Sequence, residues 1–125
     1  MVDRVLSMLG IAAKSGSVVS GEFSTEKAVK TGRAFLVIVS EEASENTKKA
    51  FKNMTDFYEV PLYFYGTKEA LGRAIGKEFR ASIAIIEENL ANAVEQSVAV
   101  ACEMLETQGL ELVESLFEHK ILKCL

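Results

Sequence analysis

The sequence holds few of the residues on which enzyme and metal sites depend, with one histidine and two cysteines in 125 residues. Because the chain has one histidine, catalysis by a pair of histidines is excluded. His119 lies between Glu118 and Lys120, which predicts a surface position. Cys102 and Cys124 form no Cys-x-x-Cys pair, and neither stands beside a candidate base. We therefore expect reduced thiols, no catalytic residue, no metal and no cofactor.

Long apolar segments are also missing. Uncharged apolar runs such as AFLVIVS and SVAVAC are far too short to span a bilayer, so we expect no membrane partner. The first residues, MVDRVLSMLGIAAKSG, have a mixed-charge start and no cleavage-like site. We therefore expect no signal peptide and a cytoplasmic location. A chain of 125 residues is long enough for one hydrophobic core and too short for two, which predicts one core domain.

The chain has no excess of positive charge, since its net charge is −4. The charges are unevenly placed: residues 1–85 carry 12 Lys and Arg against 10 Asp and Glu, whereas residues 86–125 carry 2 against 8. The net charge of the chain disfavours a nucleic-acid ligand, but a phosphate responds to the local electrostatic field at the contact surface. RNA binding remains open for the first part of the chain and is disfavoured for the last.

Apolar periodicity alternates between helical and extended patterns along the chain. The spacing predicts helices over residues 3–14, 21–31, 44–59 and 68–76 and from residue 88 onward, with Ser20 and Ser44 as N-caps and Gly66-Thr67 capping the fourth helix. The apolar runs predict strands over residues 34–39, 62–65 and 81–86, after a short extended piece at residues 18–19. This alternation predicts an α/β fold with helices on both faces of the sheet.

The stretch VVSGEFSTEKAVKTGRA, residues 18–34, combines a glycine-led helix start with lysines on one side. Lys27 and Lys30 are three residues apart and share a helix face, and Lys14 ends the preceding helix. Gly21 would let a ligand approach the N–H groups of the helix start. Such groups can hold an RNA backbone, but the same lysines also fit an ordinary solvated helix face. Spacing alone leaves both interpretations open.

Four features occur in a fixed order: a Lys-Ser-Gly turn, the glycine-led helix, an LG…GK helix and an IAII strand. In this order they resemble the kink-turn-binding ribosomal proteins, the family that contains L7Ae, L30e and small bacterial relatives. The resemblance covers residues 4–95. It implies a three-layer α/β/α sandwich around a mixed four-stranded sheet. It also implies a non-enzymatic, ribosome-associated RNA-binding protein that recognises a kinked internal loop with tandem sheared G·A pairs.

The family's Gly-x-Asn-Glu-x-x-Lys signature falls on residues 21–27 of this chain. Gly21 and Lys27 match, whereas Phe23 and Ser24 stand at the asparagine and glutamate positions. Phenylalanine can stack on a base but cannot hydrogen-bond a guanine edge, so we expect weaker or different sequence selectivity. The residues predicted to form this first contact are Lys14, Ser20, Gly21, Glu22, Phe23, Ser24, Lys27 and Lys30.

The resemblance implies a second contact, a loop before the last strand that packs on unstacked nucleotides. It falls on residues 78–81, with Phe79, Arg80 and Ala81 as predicted RNA-binding residues. Arg80 suits a phosphate or the face of a base. Phe79 suits base stacking, but a core position capping the sheet is an equally good interpretation.

Residues 97–125 extend beyond the resemblance and predict a C-terminal helical extension on a domain formed by residues 1–96. Two apolar stripes meet at Gly109, and the extension is expected to pack on the domain or on a second subunit. We expect a homodimer contact through residues 110–122. The alternative function is a protein–protein adaptor of the same fold that has lost specific RNA recognition, an interpretation favoured by Phe23, Ser24 and the net acidity.

Overall fold

The computed structural model describes the backbone of residues 3–108 and the side chains of residues 3–100. Within this part of the chain, five helices alternate with four strands. The helices are α1 (Arg4–Lys14), α2 (Glu22–Lys30), α3 (Glu45–Tyr58), α4 (Lys68–Ala74) and α5 (Glu88–Gln108). The strands are β1 (Val18–Ser20), β2 (Leu36–Val39), β3 (Leu62–Phe64) and β4 (Ser82–Ile85). The predicted alternation of helices and strands is confirmed.

The strands form one mixed sheet in the order β1-β4-β2-β3. β2 and β3 are parallel, whereas β4 runs antiparallel to both β1 and β2. As a result β1, β2 and β3 end where β4 begins, at an edge that we call the Gly21 edge. It is marked by Ser20, Val39, Phe64 and Ser82. The continuous Leu-Val-Ile-Val run of β2 is buried at all four positions, as expected of a strand covered on both faces.

Helices cover both faces of the sheet, which confirms the predicted three-layer sandwich. On one face α1, α4 and α5 bury residues such as Leu9, Leu71 and Val94. On the other face α2 and α3 bury Val29 and Phe51. Because α2 follows β1 and α3 follows β2, both helices start at the Gly21 edge and run toward the opposite edge.

The helix caps agree with the sequence at two places and differ at a third. Ser44 and Thr67 each accept a hydrogen bond from a first-turn backbone amide, at 3.1 and 3.0 Å. The prediction of Ser20 as the N-cap of α2 is wrong, because Ser20 ends β1 and Gly21 takes the cap position. The Gly21 amide still donates to the carbonyl of Ser82 at 3.0 Å, so the chain stays paired with β4 one residue longer than the pattern indicates.

The last described helix passes through the predicted boundary between residues 96 and 97. α5 runs without a break from Glu88 to Gln108, and both Val94 and Val98 are fully buried against the sheet. The predicted break at Gly109 and the predicted dimer contact of residues 110–122 lie outside the described residues. Among residues 3–108, no helix combines the length and the apolar composition that crossing a membrane requires.

Candidate nucleic-acid interface

The start of α2 is open to a ligand. Gly21 has φ 92° and ψ 155°, and no side chain of the described residues caps the helix. A Cβ on Gly21 would meet nothing within 4 Å, so the positive φ, and not lack of space, favours glycine here. The first-turn N–H groups of a helix have no acceptor within the helix, and this end carries the positive end of its dipole. The start of α2 can therefore accept an anionic group.

The loop between α4 and β4 lies beside this helix start because Arg80 joins the two. Arg80 Nε donates to Ser20 Oγ at 3.0 Å, and Arg80 Nη1 donates to the carbonyl of Phe79 at 2.7 Å. The Arg80 amide donates to the carbonyl of Lys68 at 3.1 Å. Arg80 Nη2 has no protein partner among the described residues, so it can donate to a ligand.

Aromatic side chains stand on both elements of this surface. Phe79 is 61% exposed, which excludes the alternative that it caps the core. Phe23, on the first turn of α2, is 78% exposed. Phe23 and Lys27 are four residues apart on the helix and share its outward face, since the buried face carries Thr25 and Val29. The exposed rings can stack on bases, and Lys27 can contact a phosphate.

Gly72 helps to fix the position of the loop between α4 and β4. This role was not predicted from the sequence. A Cβ on Gly72 would lie 2.3 Å from the carbonyl oxygen of Glu78 and 2.9 Å from the amide nitrogen of Phe79. Only glycine lets α4 approach the loop so closely. The sequence carried one signal of this contact, a glycine inside a helix, where it is disfavoured by about 1 kcal/mol relative to alanine.

The structure brings most of the predicted site residues together at the Gly21 edge. Ala81 joins the edge through its carbonyl, which accepts the amide of Ser40 at 2.8 Å. We call the following set the Gly21 surface: Ser20, Gly21, Glu22, Phe23, Ser24, Lys27, Phe79, Arg80 and Ala81.

Two predicted lysines do not join this surface. Lys14 ends α1 on the far side of β1, where the carbonyl of Ser17 accepts the amide of Ile86, so it lies at the opposite edge of the sheet. Lys30 ends α2 at that same opposite edge, and its Nζ donates to Glu26 Oε1 at 2.6 Å. This hydrogen bond, with the attraction of the carboxylate, raises the pKa of Lys30. Of the three predicted lysines, Lys27 lies nearest to the helix start, one turn after Phe23.

The Gly21 edge carries charges of both signs. Its cations include Lys27, Lys48, Lys68, Lys77 and Arg80, and its carboxylates include Glu22, Glu41, Glu42, Glu45 and Glu78. One carboxylate is already engaged, since Glu42 Oε1 accepts the backbone amide of Lys68 at 2.9 Å. Lys68 was missed in the sequence because its backbone contacts with Glu42 and Arg80, both distant in the chain, bring it here. Among the described residues, no cluster of His, Cys, Asp and Glu suits a metal ion.

Comparison of the sequence with known proteins identifies a family and two similar proteins. The model of the ribosomal protein L7Ae/L30e/S12e/Gadd45 family matches residues 3–105. RNA-binding protein YlxQ of Bacillus subtilis is 39% identical over 85 residues, which make up 68% of this chain and 85% of that protein. RNA-binding protein YlxQ of Enterococcus faecium is 28% identical over 96 residues, or 77% of this chain and 92% of that protein.

Two solved structures share the architecture. A Bacillus halodurans protein of unknown function superposes with a TM-score of 0.76 at 33% identity, covering 78% of this chain and 98% of its own. The 15.5kD RNA binding protein of Giardia lamblia superposes with a TM-score of 0.66 at 26% identity, covering 76% and 82%. The protein described here therefore belongs to the ribosomal protein L7Ae/L30e/S12e/Gadd45 family.

Proposed function

We propose that this chain is a non-enzymatic, cytoplasmic RNA-binding protein that recognises a kink-turn or a related bent internal loop in ribosome-associated RNA. The names of the YlxQ relatives and of the Giardia protein support RNA as the ligand. One observation carries the proposal to this chain's own residues: the uncapped start of α2 is joined to the exposed Phe79–Arg80 loop by the Arg80–Ser20 hydrogen bond.

The Gly21 surface combines the two kinds of contact that such an RNA needs. The N–H groups at the start of α2, Lys27 and the free Nη2 of Arg80 suit backbone phosphates, which position an RNA without reading its sequence. Phe79 and Phe23 suit unstacked bases. Because the two contacts are held at a fixed geometry, only an RNA whose backbone bends between them meets both, and binding shifts the RNA toward that bent form.

Phe23 and Ser24 determine what this surface can distinguish. Neither side chain can make the paired hydrogen bonds to guanine edges that asparagine and glutamate make at these positions in the family. Selectivity then rests on the shape of the RNA and on stacking. The mixed charges of the Gly21 edge also limit the number of phosphates that the protein can neutralise.

The test is a comparison of one kink-turn RNA with a straight duplex of the same length, each at two salt concentrations. The proposal predicts tighter binding of the bent RNA and weaker binding at the higher salt. If three or four cations of the Gly21 edge contact phosphates, log K should fall with log salt at a slope of about −2 to −4, since each neutralised phosphate contributes roughly 0.7 to 0.9. Equal, weak binding of both RNAs would contradict the proposal.

A second candidate function is a protein–protein adaptor that keeps the fold without specific RNA recognition. Phe23 favours it, because an exposed aromatic side chain replaces the hydrogen-bonding residue of the signature. We also propose that residues 110–122 form a homodimer contact through their apolar stripe. Light scattering of the full chain tests the dimer, and a strict monomer at high concentration would contradict it.

A further inference from the structure

The opposite edge of the sheet carries an aromatic pair that the core does not use. Phe57 and Tyr58 end α3, and they are 77% and 40% exposed. Their ring centroids lie 4.9 Å apart at an interplanar angle of 71°, an edge-to-face pair. Exposed apolar surface with a polar rim is typical of a protein-binding site. The pair is therefore a candidate contact site for a partner, at the opposite edge of the sheet from Phe79 and Arg80.

An open groove of about 380 Å³ runs from this pair between α2 and α3. Met54 and the aromatic pair provide its apolar lining, and Glu22, Glu26 and Lys30 line the α2 side. Both helices run toward the opposite edge, so the groove is parallel to their axes. A groove between two helices is a shape into which an amphipathic helix packs with its apolar face.

The charges around the groove favour a cationic occupant. Glu26 already holds the ammonium of Lys30 at 2.6 Å, which leaves Glu22 without a cation among the described residues. Asp56 and Glu59, both exposed, flank the aromatic pair in the chain. The last turn of α3 has no basic residue to balance the negative end of its dipole. Binding of cationic side chains is therefore favoured at this end of the groove, where they can also lie on the aromatic rings.

The same charges disfavour other occupants. At the aromatic end of the groove, the phosphates of an RNA or of an anionic membrane would meet Asp56 and Glu59. A second copy of this chain has a net charge of −4, and the apolar stripe of residues 110–122 carries three glutamates against one lysine. We propose that the groove between α2 and α3, the Phe57 groove, binds a basic amphipathic helix of another protein. The proposal does not depend on RNA binding at the Gly21 surface.

The test uses the full chain and a 14-residue peptide, acetyl-LKKLLKLLKKLLKL-amide, with the analogue in which every lysine is glutamate. Calorimetry should give saturable 1:1 binding of the lysine peptide and none of the glutamate peptide. Backbone amide NMR shifts should cluster on the facing sides of α2 and α3. Phe57→Ser should weaken peptide binding about tenfold or more, as expected for a central aromatic contact, and Glu22→Gln should weaken it less.

Phe79→Ser is the matched control, because it removes a similarly exposed phenylalanine at the Gly21 edge and should leave peptide binding unchanged. Both phenylalanines are exposed, so neither variant should lower the melting temperature. The proposal is overturned if the lysine peptide does not bind, if the glutamate peptide binds equally well, or if Phe57→Ser leaves the affinity for the lysine peptide unchanged. It is also overturned if Phe57→Ser weakens RNA binding and leaves peptide binding intact, since the pair would then belong to the RNA interface.

Discussion

Arg80 Nε donates a hydrogen bond of 3.0 Å to Ser20 Oγ, and this contact joins two segments that are 60 residues apart in the chain. Ser20 ends β1 directly before the glycine that starts α2, and Arg80 stands directly after Phe79 in the loop before β4. The bond therefore links the proposed phosphate contact to the proposed base contact. Any bent RNA that touches both must match the distance that this bond helps to fix.

Removing either side of the Arg80–Ser20 bond should weaken RNA binding to different degrees. Ser20→Ala removes one hydrogen bond while Arg80 keeps the carbonyl of Phe79, so we expect about two- to tenfold weaker kink-turn binding. Arg80→Met also removes the charge, and we expect a loss of about tenfold or more. Fluorescence anisotropy measures both. Arg73→Met is the control, because Arg73 is paired with Glu69 at 3.1 Å on α4, and it should bind RNA like the wild type.

Gly72→Ala tests whether RNA binding depends on the position of the loop between α4 and β4. The new Cβ would displace the backbone of residues 78–79, and we expect a loss of about 1–3 kcal/mol in the free energy of unfolding. At a temperature where the variant is folded, kink-turn binding should also be weaker. Gly10→Ala is the matched control: its Cβ would lie 3.1 Å from the carbonyl of Ala74, away from the loop. Equal RNA binding by both variants would show that Gly72 serves only stability.

Lys27 and Lys30 should differ in RNA binding although both lie on α2. Lys27 is exposed one helical turn after Phe23, and none of the ion pairs among the described residues includes it. Lys27→Gln should therefore weaken kink-turn binding and make the salt slope shallower by about 0.7 to 0.9. Lys30→Gln should change neither, because Lys30 lies at the opposite edge and is engaged by Glu26. A salt slope that responds equally to the two substitutions would place RNA along the whole length of α2.

Features that depend on residues close in the sequence could be predicted, whereas contacts between residues far apart in the sequence could not. The apolar run of β2 and the N-cap Ser44 depend on neighbouring residues, and both were predictable. Lys14 and Gly21 are close in sequence, but β1 lies between them and carries the chain from one edge of the sheet to the other. Ser20 and Arg80 are far apart in sequence and meet because β1 and β4 are antiparallel neighbours. No local pattern could reveal either relationship.

Two tyrosines should make the fold sensitive to high pH. Burial raises the pKa of Tyr63, and so do the charge and the hydrogen bond of Glu95, whose Oε2 accepts from the hydroxyl at 3.0 Å. Burial likewise raises the pKa of Tyr65, whose hydroxyl donates to Asp3 Oδ2 at 2.6 Å. Because the native state holds these protons more tightly, their stabilisation is complete below pH 10.0, the ordinary tyrosine value, and falls as the pH rises above it.

The measurement for this pair is urea unfolding at steps from pH 8 to pH 11. The free energy of unfolding of the wild type should fall more steeply above pH 10 than that of Tyr63→Phe or Tyr65→Phe, since phenylalanine has no proton to lose. The double variant should show the shallowest decline. If all four proteins lost stability in parallel, the two hydroxyl–carboxylate contacts would have no part in the pH response.

Phe23→Asn with Ser24→Glu restores the signature that the family carries at the start of α2. Both positions are exposed, so we expect the double variant to fold with a similar free energy of unfolding. Asparagine and glutamate can hydrogen-bond the guanines of sheared G·A pairs, and each good hydrogen bond contributes about 0.5–1.5 kcal/mol. The double variant should therefore bind a kink-turn more tightly and lose that gain when the G·A pairs are replaced by Watson–Crick pairs. The wild type should respond less to the same RNA change, because a phenylalanine stacked on a base would not distinguish one base from another. A double variant that binds both RNAs like the wild type would contradict the placement of guanines at the start of α2.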